Sequence, residues 1–226
     1  GQMVSEEELI LSIEGPSEGV LRCERVVLNI IGRMSGIATE TSEWLNTSGG
    51  LPVACTRKTE WGLLDKWAVH VGGGLTHRLN REDALMIKEN DLATMEIEVS
   101  DEGSAVANAV NRLDFEKEAS FCTVEVCNTK QAIEAAKAWS ECQKRRSGEE
   151  RIVLLLDNMG PSRCSETAME LGREGLREWC ILEGSGGIKR EALGEWVSES
   201  GVDLVSTSAV NMGVNPLDIS MIVGGE

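Results

Sequence analysis

Apolar positions along the 226-residue chain follow two rhythms. Between Glu24 and Leu45, Val26, Val27, Ile30, Ile31, Met34, Ile37 and Ala38 fall on one stripe of period 3.6, which predicts a long helix, with Ser35-Gly36 as a place for it to bend. Further on, short apolar runs predict strands at Pro52–Thr56, Ala84–Lys88, Phe121–Val126, Ile152–Leu156, Trp179–Leu182, Val202–Val205 and Leu217–Val223. Helical stripes separate most of them, at Gly62–Val69, Ser104–Leu113, Lys130–Lys144, Pro161–Arg173 and Lys189–Ser200, with Gln143–Arg151 as a charged loop. Ile152–Leu156 holds no polar position, as expected of a strand covered on both faces. Repeated strand–helix units predict an α/β fold with a parallel sheet and helices outside it. Their number favours a closed or nearly closed barrel. A doubly wound sheet is the alternative, but no G-x-G-x-x-G loop follows the first strand.

Composition narrows the class. Hydrophobic residues make up 41% of the chain and charged residues 27%, a globular balance, while six Trp, two Phe and no Tyr leave the core to aliphatic side chains. No apolar run approaches the roughly 20 residues of a membrane span, and no basic-then-apolar leader opens the chain. The net charge of −16 argues against nucleic acid and anionic membranes as partners. Seven cysteines without a C-x-x-C pair read as reduced thiols of a cytoplasmic protein. Against this acidic background, Arg57 to Lys88 carries six basic residues and four acidic ones, a local +2 in a chain whose remainder carries −18. Both histidines, His70 and His77, lie within it. Such an island reads either as a small-anion site or as chance clustering on a solvated face.

The predicted strand ends are polar. The first runs into Thr56-Arg57-Lys58-Thr59, the next ends at Lys88, and the third carries Glu125. Ile152–Leu156 ends at Asp157-Asn158, the fifth strand leads into Glu183-Gly184-Ser185-Gly186-Gly187, and the sixth ends at Ser206-Thr207-Ser208. In α/β barrels the site lies at the C-terminal ends of the strands. Each group has a bland reading: Arg57 and Lys58 as loop charges, Asp157 as a helix cap, the glycines as turns. Those readings do not predict polar groups at one end of every strand. Arg forks and Lys point charges bind carboxylates and phosphates, and His77 beside Arg78 adds to them. Amides of Ser185, Gly186 and Gly187 before a helix suit a phosphate. Glu125 and Asp157 suit ribose hydroxyls or a hydrated Mg²⁺. No Ser/His/Asp triad, H-E-x-x-H motif or zinc spacing is present.

Ordered motifs along the whole chain resemble the quinolinate phosphoribosyltransferase family. They are Glu24-Arg25-Val26-Val27-Leu28-Asn29 with Ser35-Gly36-Ile37-Ala38-Thr39, then Thr56-Arg57-Lys58-Thr59, Gly72-Gly73-Gly74-Leu75-Thr76-His77-Arg78 and Ile87-Lys88-Glu89-Asn90. Val124-Glu125-Val126, Leu156-Asp157-Asn158, Ser185-Gly186-Gly187 and Leu217-Asp218-Ile219-Ser220 continue the series. The resemblance implies an open or incomplete parallel α/β barrel, TIM-like, with a small N-terminal α/β sandwich domain, usually in a homodimer. It also implies phosphoribosyl transfer from phosphoribosyl pyrophosphate to quinolinate, with Mg²⁺ on the pyrophosphate. The products would be nicotinate mononucleotide, pyrophosphate and CO₂. By motif, Thr56, Arg57, Lys58, His77, Arg78 and Lys88 would take quinolinate and part of the pyrophosphate. Glu125 and Asp157 would face the ribose, with the Mg²⁺ near them. Ser185, Gly186, Gly187, Ser206, Thr207 and Ser208 would hold the 5′-phosphate.

The implied division is a remnant of the N-terminal domain at 1–23, the barrel at 24–206, and a segment at 207–226 returning toward the N-terminal domain. Gly1 to Pro16 resembles only that domain's last strands, so most of it is expected to be absent, and with it a basic contribution from a partner subunit. Asp91 stands where the family commonly has His, Ser208 where it has Gly, and Met212 where a His often follows. Two alternatives stay open: a related phosphoribosyltransferase using another acidic acceptor, and an impaired barrel serving as a subunit or binding module.

Overall fold

A computed structural model describes residues 1–94, 102–113 and 121–224. Its helices are α1 (Ser17–Thr47), α2 (Leu63–Val71), α3 (Glu89–Thr94), α4 (Glu102–Asn111), α5 (Thr129–Arg146), α6 (Gly160–Arg173) and α7 (Leu193–Glu199). Its strands are β1 (Val53–Cys55), β2 (Leu85–Ile87), β3 (Cys122–Val126), β4 (Ile152–Asp157), β5 (Cys180–Ser185) and β6 (Leu204–Thr207). All pair in parallel as one sheet in the order β1-β6-β5-β4-β3-β2. This is an open, curled sheet, an incomplete TIM-like barrel with a seam between β1 and β2.

Register sorts the strand residues onto two faces, because residues paired across parallel strands point to the same side. One face carries Val53, Cys55, Ile87, Val124, Val126, Leu154, Leu156, Leu182 and Val205, all buried with helical side chains such as Ala132, Ala135 and Leu171 in one core. The other face is the lumen. Its rows are Met86–Thr123–Val153–Ile181, Glu125–Leu155–Glu183–Leu204, and Asp157–Ser185–Ser206–Ala54. Apart from Thr123, apolar residues at the bottom give way to carboxylates and hydroxyls toward the strand ends.

The seam is lined by the chain between Leu75 and Ala84. Leu75 makes a parallel bridge to Ala54 of β1, while Ala84 runs directly into β2. Half-buried Gly72 and buried Gly74 let this crossing pack against α1 and β1.

Four elements differ from the sequence reading. Helix α1 spans 31 residues and starts at Ser17, so 17–23 belong to it, and it continues through Ser35-Gly36. Gly36 serves a close approach: a Cβ there would lie 2.2 Å from the Asn215 carbonyl oxygen. The chain at Asn215, Pro216 and Leu217 packs there against α1, and the Leu217 amide donates to the Gly32 carbonyl at 2.8 Å. Leu217–Val223 is therefore not a strand; its backbone meets a helix and no sheet edge. Residues 1–16 form no strand either, and their apolar side chains, Met3 and Leu9 among them, are exposed. Helix α5 runs on to Arg146, where Ser147 in the left-handed region ends it, so the charged loop begins later than its charges suggest.

Candidate active site

Lys88, Glu125, Asp157, Ser185 and Ser206 come together in the lumen or at its rim, as their strand-end positions required. Lys88 and Glu125 form an ion pair. Asp157 accepts from the Asn158 side-chain amide at 2.6 Å, and Ser206 Oγ lies 3.3 Å from Ser185 Oγ. Gly186 has φ +106°, and a Cβ on it would lie 2.3 Å from Asn158 Oδ1. Only glycine fits that turn, which sets the 185–187 amides beside Asp157. Thr207 uses its hydroxyl internally: it donates to the Ile188 carbonyl at 3.0 Å and accepts from the Ala209 amide, tying the β6 exit to the Gly-rich loop. Ser208 sits half-buried at that turn.

The cations gather on the seam side. Thr56 Oγ1 accepts from the Lys58 amide, forming a tight turn that presents Arg57 and Lys58 as exposed side chains. Arg78 is 6% exposed, its Nη1 is 3.5 Å from the Ala84 carbonyl, and its Nε has no partner. Burial pushes its pKa down, and the charges of Arg57 and Arg81 add to that, with Asp91 partly offsetting them. Buried Lys66 donates to the Thr76 carbonyl and lies 3.8 Å from Cys55 Sγ. Its pKa is likewise lowered, by burial first and then by Arg57 and Arg78, against the opposing pull of the Cys55 thiol. Arg78 thus keeps a buried charge at a desolvation cost that an anion beside it would offset.

His77 lies 3.1 Å from Glu183, with its ring edge-on to Phe121. Glu183 is the carboxylate that sequence reasoning missed. Ending the fifth strand at Leu182 left it in a loop, whereas β5 continues to Ser185 and turns it into the lumen at 1% exposure. The alternation Ile181–Glu183–Ser185 was the available signal. Lys66 was missed as well, since a lysine within a helical stripe reads as surface. Five buried side-chain atoms lack partners among the described residues, and three of them, Arg78 Nε, Thr123 Oγ1 and Glu183 Oε1, belong to the seam and lumen. Native interiors carry few such atoms, so these three mark the seam and lumen as the candidate ligand site.

The loop above the cations is pinned from outside. Arg33 of α1 forks onto Asp65 at 2.8 and 2.9 Å, and Asp65 also accepts from the amides of Glu60 and Trp61. Among the described residues no group of three His, Cys, Asp or Glu side chains is set to hold a metal by itself. Among the described residues no helix is long and apolar enough to cross a membrane.

The family described as quinolinate phosphoribosyl transferase, C-terminal domain, matches residues 37–222. The chain is 36% identical over 231 residues to a probable nicotinate-nucleotide pyrophosphorylase (carboxylating) of Methanothermobacter thermautotrophicus, covering all of this chain and 76% of that protein. It is 34% identical to the corresponding Mycobacterium leprae protein, covering 94% of this chain and 68% of that one. Among solved structures, NadC from Streptococcus pyogenes superposes with TM-score 0.72 at 31% identity, covering 92% of this chain and 66% of that chain. This chain therefore spans just under two thirds of that structure.

Proposed function

The chain belongs to the quinolinate phosphoribosyltransferase family, and from that premise we propose that it transfers the phosphoribosyl group of phosphoribosyl pyrophosphate to quinolinate with loss of CO₂. The observation that carries this reading is a buried Arg78 with no carboxylate partner, in a lumen that also holds Lys88, Glu125 and Asp157. A dianionic pyridine acid supplies the anions that Arg78, Arg57 and Lys58 lack, and it competes with Glu125 for Lys88. Each contact of about 4 Å contributes roughly 4 kcal/mol at an effective dielectric near 20, before desolvation. Glu125 and Asp157 face the ribose, where displacement at the anomeric carbon builds positive charge that carboxylates stabilise. The amides of Ser185, Gly186 and Gly187, with the Ser206–Ser208 turn, take the 5′-phosphate.

In this reaction the pyridine nitrogen displaces pyrophosphate from the anomeric carbon. The carboxyl next to the new bond then leaves as CO₂, and the electron pair left on that ring carbon takes up a proton. Mg²⁺ fits as an ion carried with the pyrophosphate, since such ions use one or two carboxylates beside substrate phosphates, and Glu125 and Asp157 provide them. When bound it neutralises the leaving pyrophosphate. A homodimer is supported by the exposed apolar side chains Met3, Leu9, Leu21 and Val26, since large exposed apolar area marks interfaces. Seven free cysteines support a cytoplasmic setting. The test is turnover of quinolinate with phosphoribosyl pyrophosphate and Mg²⁺, followed as nicotinate mononucleotide and CO₂ in equal amounts. Binding of both substrates without turnover would favour the binding-module reading.

A further inference from the structure

Both ring nitrogens of His77 are engaged inside the chain. The backbone amide of Arg78 donates to Nδ1 at 2.8 Å, and Nε2 lies 3.1 Å from Glu183 Oε2. A backbone amide can only donate, so Nδ1 is the unprotonated nitrogen and Nε2 carries the hydrogen given to Glu183. Protonating Nδ1 would set two N–H groups against each other. The backbone contributes to this arrangement, because His77 has φ +52°, a left-handed conformation that a side-chain-bearing residue adopts at a cost. That turn folds the imidazole back onto the next amide. The same turn sends the Arg78 side chain into the buried seam, where its Nε–H is unpartnered.

We propose that Glu183 and His77 form a positioning relay. Glu183 holds the imidazole in the Nε2–H tautomer, Nδ1 then fixes the Arg78 amide, and the Arg78 guanidinium is left with a free Nε–H for a substrate carboxylate. His77 on this account does not touch the acid itself. The inference rests on the dicarboxylate reading of the site. It also explains a carboxylate placed where an acidic substrate must bind. Glu183 is spent on His77, with Phe121 packed against the ring and the Arg57, Lys66 and Arg78 charges on the seam side. Its remaining oxygen, Oε1, meets no donor, so a glutamine can keep the essential bond through its amide oxygen.

The chain contains two histidines, and His70 is exposed, so two imidazole patterns in a long-range ¹H–¹⁵N spectrum are readily told apart. At pH 7.5 the full chain should show His77 as the Nε2–H tautomer, unchanged on saturation with phthalate, an inert aromatic diacid. Arg78 Nε–H should move on the same addition. Glu183→Gln should keep that tautomer and hold the KM for quinolinate within about twofold of wild type, whereas Glu183→Leu should raise it between about ten- and a hundredfold, the scale of a small misplacement in a site. In both variants the KM for phosphoribosyl pyrophosphate should stay within about twofold. An Nδ1–H or doubly protonated His77 in the wild type would overturn the relay, as would Glu183→Gln losing as much as Glu183→Leu. If Glu183→Leu does not fold, the wild-type tautomer and the Glu183→Gln kinetics decide. Absence of any turnover by the wild type would sink the proposed reaction instead, and the tautomer spectrum would still decide the relay.

Discussion

Lys88 and Glu125 form an ion pair across neighbouring strands, at the same level of the lumen. In the free protein each neutralises the group that the other would present to substrate, and the Lys88 side chain is 42% exposed. Partly exposed pairs of this kind are coupled weakly, by about 0.2–1 kcal/mol, so substrate can part them. A double-mutant cycle with Lys88→Met and Glu125→Gln, read by chemical denaturation, should give a coupling in that range. The kinetic effects should separate. Lys88→Met should raise the KM for quinolinate and Glu125→Gln the KM for phosphoribosyl pyrophosphate. Both variants acting on the same substrate would contradict the assignment of the two groups to different parts of the site.

Arg78 should trade stability for binding. It is buried without a carboxylate partner, and its pKa is held down first by burial and then by neighbouring cations. Replacing such a charge with an apolar side chain of similar length is often neutral or stabilising by up to a few kcal/mol, about 1–4 in comparable cases. Arg78→Met should therefore melt no lower than wild type while losing quinolinate. In calorimetric titrations Arg78→Ala should lose about 2–5 kcal/mol of binding and Arg78→Lys a smaller amount, because a point charge cannot reproduce the fork. Arg81→Ala, with its side chain 71% exposed beside Asp91, should bind normally. Equal affinities for wild type, Arg78→Ala and Arg81→Ala would remove the carboxylate role from the cluster.

Much of this site was legible from position alone. Lys88 follows one apolar run, Asp157 ends another and Glu125 stands one residue before the end of a third, and once the runs are parallel strands their ends must share a rim. Strand length was less legible. Gly184 and Ser185 resemble a turn, and ending β5 before them hid Glu183, although its outward neighbours Leu182 and Gly184 face the helices. The alternation in Leu217–Val223 resembled a strand because sequence pattern cannot show whether a sheet edge is free to receive it. Here the nearest acceptor is the Gly32 carbonyl of a helix. Lys66 was illegible for a related reason: its burial is set by contact with Cys55 and Thr76, from the strand and the crossing that pack on α2, and not by its own helix.

Asp65 should make stability depend on pH in the acid range. Burial by itself would raise its pKa, but the Arg33 hydrogen bonds and the amides of Glu60 and Trp61 outweigh it, and the net shift is downward. A carboxyl with a lowered folded pKa contributes stability above its unfolded value near 3.9, and loses it as pH falls through the folded value. Asp65→Asn should thus be destabilised by about 3 kcal/mol at pH 7, as when a buried pair loses one member. The gap to wild type should narrow as the pH is lowered below about 4. Urea unfolding of both proteins across that range measures it, and a gap that stays constant with pH would contradict the assignment.

The phosphate end of the site can be tested by two neighbouring glycines. Both have positive φ, +106° at Gly186 and +60° at Gly187, so alanine is strained at either. Their surroundings differ. A methyl at Gly186 would lie 2.3 Å from Asn158 Oδ1 and 2.7 Å from the Asn158 backbone nitrogen, while at Gly187 it would meet nothing within 4 Å. Gly187→Ala should therefore cost only the left-handed backbone penalty, about 1–2 kcal/mol of stability, with binding retained. Gly186→Ala must displace Asn158, whose side chain donates to Asp157 at 2.6 Å, and so disturbs the amide cradle and the ribose carboxylate together. It should raise the KM for phosphoribosyl pyrophosphate by more than about tenfold, since a shift near 1 Å in such a site costs up to two orders of magnitude. Direct titration of ribose 5-phosphate into the two variants isolates the phosphate contacts from the chemistry. Gly186→Ala should bind it weakly and Gly187→Ala nearly as wild type does. Equal binding by both would place the phosphate elsewhere than on the turn between Ser185 and Gly187.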